Sequence, residues 1–197
     1  MKIIDVIQGS PEWIAARLGV PSASNFAKVL TPGGKKSAQA DAYVSRLIAD
    51  ILTGQPQSSE PNDAMQRGTS LEPEARAYYE LISGHVKQIG FCVHDNGFGC
   101  SPDGLVGTDG LLEIKCPLSH TQVEYLRAGV LPSIYIPQVQ GQMLVMERGW
   151  CDFLSYHPDM KPLLIRVERD EKYIKLLHDA LNEIVAEINL GVEECRK

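Results

Sequence analysis

Two acidic residues and a lysine in the middle of the chain form a pattern that could support metal-assisted hydrolysis. Glu113 and Lys115 are separated by one residue, so on a β-strand they project from the same face. Asp103 precedes a glycine ten positions before Glu113, and a hairpin between these positions would bring the two carboxylates together. Carboxylate oxygens suit Mg²⁺, which lowers the pKa of water and offsets charge on a phosphodiester. Lys115 would orient or deprotonate the attacking water, or stabilise the developing charge.

The same residues also have an ordinary structural interpretation. Asp before Gly is common turn chemistry, and Glu-x-Lys on one strand face is common on solvated surfaces. The catalytic interpretation is favoured by the combination of Pro102-Asp103, a nine-residue gap and Glu113-Ile-Lys115 between apolar flanks. Ile114 would then point away from the acidic face, into apolar packing.

Helical and strand patterns surround this stretch and would position it. Ser10 followed by Pro11 is typical of a helix start, and segments 31–37 and 54–62 are predicted loops. Apolar spacing predicts helices over 38–53, 70–83, 121–128, 137–147 and 170–190, and β-rich segments at 86–94, 98–101, 110–116, 150–156 and 163–168. The first three β-rich segments suggest an antiparallel meander. We therefore expect an α/β (α+β) fold with a central mixed sheet flanked by helices, in a single domain over 1–197.

Composition limits the class of protein. The 197 residues are 44% apolar and 22% charged, which excludes a disordered chain, and no apolar run approaches the ~20 residues that span a bilayer. The five cysteines form no C-x-x-C pair, which favours reduced thiols and a cytoplasmic protein without a membrane partner. The net charge of −6, taken alone, argues against a nucleic-acid partner.

The Pro-Asp…Glu-x-Lys pattern resembles the signature of the PD-(D/E)xK nuclease superfamily. Flanking blocks narrow the resemblance to the lambda-exonuclease-type family of viral alkaline exonucleases, the YqaJ-like recombinases. The blocks follow the family's order, at 8–24, 68–76 and 138–140 around the central pattern, and the tail is similar at 157–161 and 168–173. The resemblance covers most of the chain, and four ordered blocks are far more specific than the central pattern alone.

This resemblance implies a restriction-endonuclease-like core and Mg²⁺-dependent digestion, in which Mn²⁺ could substitute, of one strand of duplex DNA in the 5′→3′ direction. It also implies a ring-shaped homotrimer and a single-strand DNA annealing protein as partner in recombination. Matching positions assign the catalytic centre to Asp103, Glu113, Lys115 and Glu72, with the three carboxylates as metal ligands. Four further positions match a pocket for the 5′-phosphate of the DNA end: Arg17, Ser24, Ser101 and Gln138.

Each outer residue has a structural alternative. Arg17 could bind a phosphate through two parallel hydrogen-bond donors, or could be a charged residue at the end of the helix that starts near Ser10. Thr69-Ser-Leu-Glu72 fits a capping box, so Glu72 could satisfy a helix end instead of a metal. Gln138 lies in a helical pattern, where glutamine is usually solvated.

The sequence leaves three functions to distinguish: a DNA-end exonuclease, an endonuclease with the same core, and a non-catalytic DNA-end-binding module. Because the net charge is negative, any DNA-facing surface must be a locally basic groove within an acidic exterior. Candidate backbone contacts are Lys28, Lys35, Lys36 and Arg76, with Arg17, Arg46 and Lys115 contributing to the same groove. This prediction fails if these side chains lie on unrelated faces.

Overall fold

The computed structural model describes residues 1–56 and 63–196, with the backbone alone described for 63–65. Part of the predicted loop over 54–62 therefore lies outside the described residues. Within the described ranges, the helices are α1 (Pro11–Ala16), α2 (Ala40–Thr53), α3 (Asp63–Ser83), α4 (Ser119–Ala128), α5 (Ile136–Met146) and α6 (Glu171–Cys195). The strands are β1 (Lys2–Ile4), β2 (Val86–Lys87), β3 (Phe91–Val93), β4 (Gly99–Cys100), β5 (Gly104–Val106), β6 (Gly110–Lys115), β7 (Trp150–Ser155) and β8 (Leu163–Glu168).

A five-stranded mixed sheet forms the centre of the fold, as predicted. Its order is β2-β5-β6-β7-β8, in which β6 and β7 are parallel and the other neighbours are antiparallel. The strand β6 is almost fully buried, as expected for a strand covered on both faces. Its side chains alternate between the two layers of the core.

One layer lies between the sheet and α3, where Ala75 and Tyr79 contact Leu112 and Ile114. The other and larger layer contains Leu111 and the apolar residues of α2, α5 and α6. A 3-10 helix, Ala23–Lys28, packs closely on α5. A Cβ at Gly141 would overlap the ring of Phe26, so glycine is what permits this approach.

The predicted meander is divided between two sheets, which corrects the expectation of continuous pairing. Strand β3 pairs with β1 on one side and with β4 on the other in a separate three-stranded sheet, whereas β2 and β6 belong to the central one. The chain crosses between the sheets at Gly90, where any Cβ would clash with the main chain of residues 4 and 6.

All five predicted helices are confirmed, and two of them extend well beyond the predicted bounds. Ser10 caps α1 by accepting a hydrogen bond from the Trp13 amide (3.2 Å), as its sequence suggested. The helix predicted over 70–83 begins at Asp63, and the last helix extends to Cys195. No helix in the described ranges combines the length and apolar character that crossing a bilayer requires.

Candidate active site

A hairpin of β5 and β6 brings Asp103 beside Glu113, as the sequence predicted. Gly104 lies opposite Leu112 in the antiparallel register, and the Asp103 amide donates to the Leu112 carbonyl (3.1 Å). The Asp103 carboxylate accepts from the Ile114 amide at 2.6 Å. The side chain of Asp103 is therefore fixed to the strand that carries Glu113.

The Glu113 carboxylate is buried, with 1% of its surface exposed, and three side-chain donors contact it. Lys115 and Gln138 donate to Oε1, the latter at 2.6 Å. Gln142, one helical turn beyond Gln138 on α5, donates to Oε2 at 2.6 Å. Ile114 packs in the opposite layer, which confirms that Glu113 and Lys115 share a face.

The charges at this site act strongly on one another. Burial raises the pKa of Asp103 well above its usual value, and the neighbouring Glu113 carboxylate raises it further. Burial would lower the pKa of Lys115, but the carboxylates of Glu113 and Asp103 outweigh it and raise the pKa. The Lys115 ammonium also lies 5.2 Å from the ring centroid of Tyr135. The site thus contains two mutually repelling carboxylates that share one lysine.

This donor set fits a divalent cation through two carboxylates, because a cation between Asp103 and Glu113 would relieve their repulsion with hard oxygen ligands. A third ligand is not in place: within residues 1–56 and 63–196, no three His, Cys, Asp or Glu side chains are grouped to hold a metal ion. Glu72 is close enough to raise the pKa of Asp103, but its carboxylate accepts from Arg76. Asp103 and Glu113 therefore lie together while Glu72 is held by an ion pair nearby, and the role of Glu72 as a third metal ligand stays a prediction.

Glu72 and Arg76 lie within α3, one turn apart. Because this helix begins at Asp63, Glu72 is in its interior and the capping-box alternative is wrong. Only 12% of the Arg76 side chain is exposed, and among the described residues its Nε has no hydrogen-bond partner. The Arg76 guanidinium is paired with Glu72, and both residues line the cleft described below.

A second cluster surrounds Arg17. Its Nη2 donates to the hydroxyls of Ser22 (3.0 Å) and Ser24 (3.2 Å), and its guanidinium lies over the Trp13 ring, 4.0 Å from the centroid. The Trp13 indole donates to the Ser101 hydroxyl at 2.8 Å. Three of the four predicted pocket residues are therefore together, whereas Gln138 contacts Glu113.

Arg17 has an unusual electrostatic environment. Burial lowers the pKa of its guanidinium, and no carboxylate of the described residues lies within ion-pair distance of it. Ser22 and Trp13 were not assigned to the pocket from sequence, although both belong to the N-terminal motif block. Their direct contacts with Arg17 are the signal that identifies them.

The two clusters are joined through a short segment, and a cleft lies beside it. Ser101 is two residues before Asp103, and between them the Pro102 carbonyl accepts from the Gln8 side chain (2.9 Å). A cleft of about 1220 Å³ is lined by segments 5–9 and 88–90 and by Trp13, Glu72 and Arg76. The cleft thus reaches Trp13 of the Arg17 cluster and the Glu72–Arg76 pair.

Other predicted basic residues have mixed positions. Lys28 and Arg46 lie over the buried Tyr43 ring, 5.6 and 5.3 Å from its centroid, and burial together with Arg46 lowers the pKa of Lys28. Tyr43 accepts from the Ser22 amide (3.2 Å), which places this pair near the Arg17 cluster. Lys35 is exposed in the loop over 31–37, and Lys36 pairs with Asp41 (3.2 Å).

Solved structures of exonucleases resemble this chain. The crystal structure of an alkaline exonuclease, LHK-Exo, from Laribacter hongkongensis is 43% identical, and the match covers 94% of this chain and 95% of that one with a TM-score of 0.85. LHK-Exo in complex with dAMP matches over the same shares, at 41% identity and a TM-score of 0.86. A phage-related exonuclease from Haemophilus somnus 129PT shares the fold at 16% identity, over 89% of this chain and 96% of that one, with a TM-score of 0.64.

A comparison with curated proteins found no match. The family model described as the YqaJ-like viral recombinase domain matches residues 12–148, a range that contains both the Arg17 cluster and the β5–β6 hairpin. Together with more than 40% identity to LHK-Exo over nearly the whole chain, this match identifies the family. The chain belongs to the YqaJ-like viral recombinases.

Proposed function

We propose that the protein is an exodeoxyribonuclease that degrades one strand of linear duplex DNA in the 5′→3′ direction from a 5′-phosphorylated end. The 3′ single-stranded tails that remain would serve recombination by strand annealing. The observation that carries this proposal is the joining of two clusters: the Asp103–Glu113–Lys115 centre and the Arg17 pocket, linked through Ser101 and Pro102. The likeness to solved alkaline exonucleases supports nuclease activity.

Asp103 and Glu113 would hold the metal ion, which we propose is Mg²⁺, with Mn²⁺ as a substitute. Exonucleases of this kind are in general metal-dependent. When bound, such a cation supplies Lewis acidity, which lowers the pKa of water and offsets charge on the phosphodiester. Glu72 would complete the ligand set if its carboxylate turned from Arg76 toward Asp103.

Lys115 would act at the scissile phosphate. Its ammonium donates to Glu113, and the two carboxylates raise its pKa, so it carries a positive charge and can stabilise negative charge that develops on the phosphate. Lys115→Ala should abolish cleavage while DNA binding persists. Loss of both together would contradict this role.

Arg17 would bind the terminal 5′-phosphate with the hydroxyls of Ser24 and Ser101. A guanidinium that has only hydroxyl and aromatic neighbours retains its charge for an anion, and its planar donors match phosphate geometry. Gln138 lies beside the metal ligands and would reach the same phosphate from the Glu113 side. Lys28, Lys35, Lys36 and Arg76 remain proposed contacts to the DNA backbone, and Arg76 must first leave Glu72.

The ring-shaped homotrimer and the single-strand annealing partner are proposed from the family resemblance. Sedimentation of the purified protein tests the oligomer, and a monomer over the working concentration range would contradict it. Co-purification with a candidate annealing protein tests the second partner.

The decisive experiment compares linear duplexes with 5′-phosphate or 5′-hydroxyl ends, in Mg²⁺ or EDTA, with closed circular DNA as control. We expect rapid nucleotide release only from phosphorylated linear DNA in Mg²⁺. Full activity in EDTA or on circles would refute the proposal. Discrete products from circles would instead indicate an endonuclease, and absence of any metal-dependent release would indicate a non-catalytic end-binding module.

A further inference from the structure

Gln142 donates a hydrogen bond to Oε2 of Glu113, whereas Lys115 and Gln138 both donate to Oε1. It is 1% exposed and donates from Nε2 to Glu113 Oε2 at 2.6 Å, while Gln138 donates to Oε1 at the same distance. Residues four apart lie on one face of a helix, so α5 presents two amides to one carboxylate. With a donor on each oxygen, the plane of the carboxylate is fixed.

The other end of the Gln142 amide has no hydrogen-bond partner among the described residues. Its Oε1 is buried and accepts no hydrogen bond from any described residue. An unsatisfied buried carbonyl opposes folding, so the hydrogen bond to Glu113 is the only polar contribution that this side chain makes. An apolar side chain of similar size would avoid the unsatisfied oxygen.

Gln140, two residues earlier on the same helix, provides a comparison, because its hydrogen bonds join two parts of the fold. It is also buried, at 4% exposure, but both ends of its amide are paired. Its Nε2 donates to the Glu168 carbonyl (2.9 Å) and its Oε1 accepts from the Asp170 amide (2.9 Å). Gln140 therefore joins α5 to the end of β8, whereas the side-chain hydrogen bond that Gln142 makes to the described residues goes to the Glu113 carboxylate.

A neutral donor at this position has a consequence that a cation would not have. An amide orients a carboxylate without cancelling its charge, so Glu113 and Asp103 keep the negative potential that attracts a divalent cation. An arginine in place of Gln142 would neutralise that charge. The orientation of metal-binding carboxylates by such outer hydrogen bonds commonly changes metal affinity or activity by 10–100-fold.

We propose that Gln142 is a positioning residue, which holds the Glu113 carboxylate in the orientation that receives the divalent cation. This inference rests on the proposed metal-dependent nuclease function. It concerns a residue that neither the central sequence pattern nor the flanking motif blocks includes.

The test compares Gln142→Met with Gln140→Met, using Mn²⁺ as the probe and electron paramagnetic resonance to count free ion without DNA. Met keeps the volume of Gln and removes the donor. For Gln142→Met we expect Mn²⁺ affinity to fall by about tenfold, kcat to fall and KM for phosphorylated duplex to stay within about twofold of wild type. For Gln140→Met we expect unchanged Mn²⁺ affinity and a Tm lower by roughly 5 °C.

Wild-type Mn²⁺ affinity and kcat in a folded Gln142→Met protein would overturn the proposal and leave Gln142 a structural residue. A second measurement covers the case in which this variant does not fold. In wild-type protein, Mg²⁺ should shift the side-chain amide resonances of Gln142 and leave those of Gln140 unchanged, and an unshifted Gln142 at saturating Mg²⁺ would also overturn the proposal. If wild-type protein neither binds Mn²⁺ nor cleaves DNA, the proposed function itself fails.

Discussion

Each of the two tryptophans of the chain has an arginine stacked on its ring, but only one of the two arginines pairs with a carboxylate. The Arg166 guanidinium lies 3.6 Å from the Trp150 ring centroid and donates two hydrogen bonds to Asp152, at 2.9 and 3.0 Å. Arg17 lies 4.0 Å from Trp13 and contacts serine hydroxyls instead of a carboxylate. Both guanidinium groups stack on a tryptophan, but the charge of Arg166 is paired with a carboxylate, whereas the charge of Arg17 is not.

The buried carboxylates of the two regions differ in the same way. Asp152 is 3% exposed and accepts from Arg166 and from the Tyr79 hydroxyl (2.6 Å), so its charge is balanced within the fold. Glu113 accepts from two neutral amides and from a lysine that it shares with Asp103. Its region sets two carboxylates against one lysine, and burial together with the Glu113 charge raises the pKa of Asp103.

Paired charges stabilise this fold, and incompletely paired charges mark where ligands of opposite sign would bind. A balanced, buried ion pair gains nothing from an added ion, whereas two facing carboxylates and an arginine among hydroxyls gain an opposite charge at little cost in reorganisation. The difference predicts that substitutions in the Asp152 region change stability and those in the Glu113 and Arg17 regions change activity.

The largest expected effect follows Glu113→Gln. Loss of a metal-binding carboxylate should slow nucleotide release by about 10³-fold, since the cation contributes several kcal/mol to the transition state. Asp152→Asn, assayed at a temperature where both variants are folded, should retain the wild-type rate. Equal loss in both would remove the distinction between the two carboxylates.

Arg17→Ala should lower the preference for 5′-phosphate over 5′-hydroxyl ends by about 10–100-fold, because charge-assisted hydrogen bonds contribute roughly 1.5–3 kcal/mol. The measurement is the ratio of initial rates on the two substrates. Arg166→Ala, which removes the other stacked arginine, should leave that ratio unchanged. A preserved preference in Arg17→Ala would place the phosphate pocket elsewhere.

Asp152→Ala should lower the free energy of unfolding by about 1–3 kcal/mol, since the fully buried Tyr79 hydroxyl loses its acceptor. Urea titration followed by circular dichroism measures the change. The rate of cleavage per folded molecule should stay at the wild-type value. A lower rate at full folding would mean that Asp152 also serves the active site.

The smallest effect is expected for an exposed pair. Lys175 and Asp179 lie 2.6 Å apart on the surface of α6, and Lys175→Ala should change the free energy of unfolding by about 0.3–0.5 kcal/mol. The same urea titration measures it, and 1 M salt should reduce the difference further. A change in the free energy of unfolding as large as that of Asp152→Ala would show that the size of these effects does not depend on burial.

Several features of the site followed from local pattern. Because strand side chains alternate, Glu113 and Lys115 had to share a face and Ile114 had to oppose them. The glycines that follow Asp103 suggested a turn, and the structure places it at 107–109, between β5 and β6. The motif blocks also grouped Arg17 with Ser24 and Ser101, and the structure places all three in one cluster.

Other features depended on contacts that local pattern does not encode. The Thr69–Glu72 pattern resembled a helix start, but α3 begins at Asp63. The stretch between Asp63 and Thr69 is mostly polar, so its sequence shows little of the apolar periodicity that predicts a helix. Asp152 is balanced because the antiparallel register sets Arg166 directly opposite it, fourteen residues away. Neither the sequence around Asp152 nor the sequence around Arg166 predicts this register by itself.

The order of residues along each strand and helix set the face on which the chemical groups lie, since backbone geometry determines side-chain direction residue by residue. It placed Gln138 and Gln142 on one side of α5, but it did not determine what that side faces. Only the packing of α5 against β6 set both amides on Glu113, because the contact joins residues 25 and 29 positions apart. Tertiary packing likewise decided that Glu72 pairs with Arg76 while Arg17 contacts serine hydroxyls and aromatic rings, and so decided which charges remain available for the proposed metal and DNA.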